Sequence, residues 1–123
     1  MFEQKHDWLM RRIQMLAEFV ARVIFRSNDS SYELNEEQAG EMGELYAKLR
    51  ELLLTDNIND AEDTLYENFC DSEDYLRLAV WFYSEVNLMS DDELKAAGYS
   101  REEIYEGLQG VLTKSGVSLT GFM

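Results

Sequence analysis

The densest run of residues able to do chemistry is Asp56, Asn57, Ile58, Asn59, Asp60 and Ala61, continuing to Glu67. Acidic groups at its first, fifth and twelfth places imitate a calcium-binding loop, in which oxygens at fixed offsets enclose a hard cation. The imitation breaks twice: Ile58 stands where the third ligand belongs, and Ala61 replaces the glycine required at the sixth place. Asn59 with Glu62 instead spells a helix capping box, which predicts a helix from residue 60. His6, the single histidine, has no cysteine or second histidine at ligand spacing, and Glu3-x-x-His6 is one half-motif where a di-metal centre needs two on facing helices. Cys70, the single cysteine, has no nameable base beside it and cannot form an internal disulfide. Gly40 and Gly43 lie among carboxylates within a helical pattern rather than in a phosphate-cradling loop. No catalytic residue, metal ligand or cofactor is assigned by motif. Catalysis, if present, falls to carboxylates acting with tyrosines such as Tyr46, Tyr66 and Tyr83.

A second group suits recognition rather than catalysis. Trp8, Arg12, Met15, Phe19, Arg22 and Arg26 recur at alternating steps of four and three, which places them along one side of a helix, aromatic at one end and basic at the other. Trp81 falls away from the main apolar face of its own segment. Two readings stand for these seven residues: a partner-binding surface with aromatic anchors and arginines, or side chains buried where one helix is clasped by two neighbours.

The elements that must carry these groups are helices. Proline is absent, and Leu, Ala, Glu and Met are abundant. Residues 8–26 form a first helix whose inner face is Leu9, Ile13, Leu16, Val20, Val23 and Ile24. The connector Ser27–Leu34 is polar, and Asn35 with Gln38 opens a second helix to about Leu54, in which Gly40 and Gly43 are expected to permit a close helix crossing. A third helix spans about 60–69. Asp71 or Ser72 caps a fourth over 73–88, with Leu76, Ala79, Val80, Tyr83 and Val86 on its apolar face. Ser90 with Glu93 and Ser100 with Glu103 are capping boxes for two further helices, and Gly98 and Gly116 sit where helices stop. The expected fold class is all-α: one domain over 1–123, an antiparallel array of five to six helices, with a basic first helix (1–26) and an acidic body (35–115).

Charge narrows the partners. Of a formal net charge of −14, residues 1–26 hold five basic and three acidic side chains, and residues 27–123 hold six basic and 22 acidic ones. The body repels phosphates and anionic lipid, so neither nucleic acid nor membrane is expected, and a protein partner or a second copy is favoured. Glu3 and Asp7 interrupt what would be a signal peptide, and no apolar run approaches the roughly 18 residues of a spanning helix, so the cytoplasm is the expected location.

Residues 42–69 resemble one tetratricopeptide-type helix pair, with Leu45, Leu49 and Leu52 on the first helix, Ile58 at the turn, and Ala61 and Leu65 on the second. Asp7, Met10, Arg11, Ile13, Phe19, Ala21 and Phe25 carry a broader resemblance, covering most of the chain, to a family of small acidic bacterial helical proteins known as a domain of unknown function. That resemblance implies the fold and transfers no activity. A non-catalytic interaction or assembly module, with a dimer the favoured form, is the leading expectation; a small-molecule or metal-binding enzyme relying on carboxylates and tyrosines and an acidic decoy for a basic protein are the alternatives.

Overall fold

In a computed structural model, residues 2–25 and 39–118 are described, with the backbone alone for residues 2–6. They form six α-helices and no strand: α1 (Phe2–Val23), α2 (Gly43–Leu54), α3 (Ile58–Glu67), α4 (Glu73–Asn87), α5 (Asp91–Ala96) and α6 (Arg101–Lys114). A 3-10 turn over Gly40–Met42 leads into α2. The Asn35–Gln38 signal and Arg26 lie outside the described residues.

The centre of the fold is α4. The sequence pattern predicts one apolar face, yet Tyr75, Leu76, Leu78, Ala79, Val80, Trp81, Phe82, Tyr83, Val86 and Asn87 are all buried. A helix apolar nearly all round is one surrounded by neighbours. Its neighbours are α6, α1, α2 and the 3-10 turn, while α1 also packs on α6 and α2 pairs with α3. From α1 come Leu9, Ile13, Leu16, Ala17, Val20 and Ala21; from α6, Ile104, Leu108, Val111 and Leu112.

Helix ends follow short-range chemistry where the cap is serine. The Ser72 hydroxyl accepts from the Tyr75 amide, and both Ser90–Glu93 and Ser100–Glu103 form reciprocal capping boxes. Gly98 and Gly116 take positive φ (68° and 78°) just past α5 and α6, a conformation that a side chain disfavours.

Three expectations need correction. Gly40 does not lie inside a helix: its φ is +60°, it opens the 3-10 turn, and a Cβ there would stand 2.9 Å from Asp74 Oδ2. Asn59 and Glu62 do not cap α3, which begins at Ile58 with Asn57 at its cap position and no side-chain cap bond. Val23 does not join the core but is exposed at the end of α1.

Candidate functional site

Two regions have the composition of a site, and they differ in what the fold has done with them. The first is the outer face of α1. Its inner face is committed to α4 and α6, which leaves the opposite side in solvent. Trp8 is 58% exposed, Met15 53% and Val23 55%, so three of the five exposed large hydrophobics among the described residues share this helix. At about 100° per residue, Met15 and Arg22 fall within about 40° of Trp8. Arg11 and Arg22 are exposed on the same side. Trp8 and Met15, with Arg11 and Arg22 beside them, thus form an exposed apolar and basic strip along one side of α1.

The other members of the stripe are placed differently. Arg12 is half-buried, and its Nε donates to the Tyr105 hydroxyl of α6 at 3.4 Å. Phe19 is half-buried and packs on the core. Trp81 is 4% exposed, its ring centroid 4.6 Å from that of Tyr46 in α2, so it is an interior residue and no part of this surface.

The second region lies between α3, α4 and α6. Glu62 Oε2 accepts hydrogen bonds from the Tyr83 hydroxyl at 2.6 Å and the Tyr99 hydroxyl at 2.9 Å. Beside them the Tyr66 hydroxyl donates to the Gly107 carbonyl at 3.1 Å. Burial pushes the Tyr83 and Tyr99 phenols well above the ordinary range, and the Glu62 charge pushes them further. Burial raises Tyr66 as well. Phenols held so firmly protonated are hydrogen-bond donors and not bases near neutral pH. The close helix approach that makes room for them is on α6: a Cβ on Gly107 would meet Tyr83 Oη at 2.5 Å and Glu62 Oε2 at 2.6 Å. Of the tyrosines named above, Tyr66 and Tyr83 meet here, while the Tyr46 ring packs at a tilt against Trp81. No group of three His, Cys, Asp or Glu side chains suited to a metal ion occurs among the described residues.

Residues 1–116 match the family of unknown function DUF6483. The chain belongs to that family. No curated protein and no solved structure matches it. None of the described helices of this DUF6483 chain is long and apolar enough to cross a membrane.

One residue of this DUF6483 chain escapes sequence reasoning altogether. Arg101, at the first position of α6, is almost fully buried; its guanidinium donates to Asn87 O (2.7 Å), Asn87 Oδ1 (3.1 Å), Met89 O (2.9 Å) and Asp91 Oδ1 (2.8 Å). Asn87 in turn donates to the Met10 carbonyl of α1 at 3.0 Å. This chain of bonds ties the end of α4 to α1, α5 and α6 and satisfies carbonyls that a helix terminus leaves without partners. In sequence, Arg101 reads as an ordinary solvated residue following the Ser100 cap; nothing local marks it.

Proposed function

We propose that the chain is a non-catalytic protein-interaction or assembly module that works through the outer face of α1. The observation that carries this reading is the alignment of Trp8 and Met15, both exposed, with Arg11 and Arg22 on a chain of net charge −14. Aromatic anchors with arginine beside them are the composition of interface hot spots. The engaged hydroxyls of Tyr66, Tyr83 and Tyr99 support the non-catalytic part, because each donates to a fixed internal acceptor. The reading extends to a bacterial cytoplasmic protein in which α2 and α3 form a tetratricopeptide-like helix hairpin, supported by the buried Leu49, Ile58, Ala61 and Leu65 between them.

The test compares the chain with its Trp8→Ala/Arg22→Glu form in two assays, quantitative capture from its host and concentration-dependent sedimentation. A stoichiometric protein, or a self-associated species, that is present for the unaltered chain and lost with the double substitution supports the reading. Identical behaviour of the two forms in both assays overturns it.

A further inference from the structure

We propose that the partner of the α1 outer face is a second copy of the same chain, paired antiparallel about a two-fold axis that passes beside Gln14 and Met15. This rests on the reading of that face as the working surface and names its occupant. Arg12 turns away to the Tyr105 hydroxyl of α6, and from the N-terminal end the other charged residues along the exposed side run Asp7, Arg11, Glu18, Arg22, an alternation of negative and positive. Asp7, Arg11 and Arg22 are exposed and Glu18 is partly exposed.

An alternating seam of this kind is complementary to its own reverse. With the axis between residues 14 and 15, each residue faces the one whose number completes 29. Asp7 then meets the partner's Arg22, and Arg11 meets the partner's Glu18; two-fold symmetry makes each pair twice. Met15 lies next to the axis, where it and the partner's Met15 cover each other, and Trp8 comes over the aliphatic stem and guanidinium of the partner's Arg22. A parallel pairing would put Arg11 on the partner's Arg11 and Glu18 on the partner's Glu18, which is repulsive at every charged position.

The charge distribution selects a second copy over other occupants. A basic partner is drawn to the acidic body, where residues 27–123 carry 22 acidic and six basic side chains, rather than to α1. An acidic partner meets Asp7 and Glu18 on the seam as well as the arginines. Two copies of a chain at −14 repel over most of their surfaces, and the seam, whose four charges balance, is where they can approach. From Asp7 to Arg22 a helix runs about 24 Å, a short contact, so the dimer is expected in the weak class with a dissociation constant of about 1–100 µM and a marked loss on adding salt.

The experiment is a charge swap on the full chain. Sedimentation over concentrations spanning that range compares the unaltered protein with Arg11→Glu, Glu18→Arg and Arg11→Glu/Glu18→Arg. Each single reversal is expected to weaken association on the order of tenfold, and the double swap to restore it, because the two groups face each other across the interface. Geometry is read separately by cross-linking with a short bis-maleimide in a Cys70→Ser background, since Cys70 is exposed. Met15→Cys should link two chains. Val23→Cys should not, because positions 23 lie roughly 25 Å apart across an antiparallel axis at 14.5. A monomer at every concentration, a dimer indifferent to the reversals, or efficient linkage through position 23 overturns the proposal. A strict monomer that still captures a host protein through Trp8 and Arg22 would overturn the second-copy occupant while leaving α1 as an interaction face; loss of both would overturn the two readings together.

Discussion

Trp8 and Trp81 are the same side chain in opposite circumstances. Trp81 is nearly enclosed and lies against Tyr46, whereas Trp8 is more than half exposed on α1. The regions around them differ in the same way. In the interior, polar groups are tied to fixed partners: Glu62 takes two tyrosine hydroxyls, and the two terminal nitrogens of Arg101 make four hydrogen bonds to Asn87, Met89 and Asp91, while Arg101 Nε and Ser84 Oγ are buried without one. On α1, Trp8 and Met15 face water on one side of the helix. Residue types that suggest chemistry in the sequence thus become architecture in the interior, and residue types that suggest core become a surface on α1.

The largest expected effect tests that contrast directly. Trp81→Ala should lower the free energy of unfolding by about 3–5 kcal/mol, as removal of a buried aromatic does, and Trp8→Ala by less than about 0.5 kcal/mol. Urea denaturation of the monomeric protein, followed by circular dichroism, measures both. Comparable losses at the two sites would remove the distinction between core and exposed face.

Arg101 comes next. Replacing it with Met keeps the aliphatic stem but strips the Asn87 and Met89 carbonyls of their donor, at an expected cost of about 2–4 kcal/mol. Asp91→Asn should cost less than about 1 kcal/mol, because the Asp91 side chain is 53% exposed and its ion pair is screened by water. If Asp91→Asn proved as damaging as Arg101→Met, the arginine would be acting through its charge rather than through the carbonyls it serves.

The two α6 glycines sharpen the comparison within the interior itself. Gly107→Ala would drive a methyl into Tyr83 and Glu62 and should cost about 2–3 kcal/mol through overpacking and loss of the hydrogen-bonded cluster. At Gly110 an added Cβ meets only the Tyr66 hydroxyl, at 3.0 Å. Alanine's better helix propensity, worth about 1 kcal/mol, should bring Gly110→Ala close to neutral. Thermal unfolding of the pair decides whether the close approach sits at Gly107.

What the sequence makes legible here is governed by distance along the chain. Ser72, Ser90 and Ser100 bond to amides three residues ahead, and Gly98 and Gly116 answer to their own φ; such features are written locally and are read correctly. Asn59 and Glu62 have the spelling of a capping box, but tertiary contacts outbid the local bond. Asn59 donates to the Ala97 and Gly98 carbonyls, and Glu62 turns to Tyr83 and Tyr99. Gly107 and Arg101 have no local signature at all, since a helix tolerates either residue for many reasons and the fold alone supplies the one that holds. The α1 stripe is legible as a stripe. Which of its members turn inward, as Arg12 does toward Tyr105, depends on where α6 lies.

The smallest expected effect concerns a surface group that acts by charge. Glu93 is fully exposed, yet it accepts a hydrogen bond from the Ser90 amide at 3.0 Å at the start of α5. That backbone bond, with the Ser90 hydroxyl contributing, holds its carboxyl below the ordinary value near 4.5. A carboxylate favoured in the folded state binds its proton less readily there than in the unfolded chain, so its stabilising contribution is complete above the unfolded value and is lost as pH falls through the folded one. Glu93→Gln keeps an acceptor for the Ser90 amide but removes the titrating charge. The difference in unfolding midpoint between the unaltered chain and Glu93→Gln should stay constant above about pH 5 and shrink as pH falls toward about 3. A difference that stays constant across that acid range would mean that the capping box holds through geometry alone, and that the negative charge at the start of α5 contributes nothing.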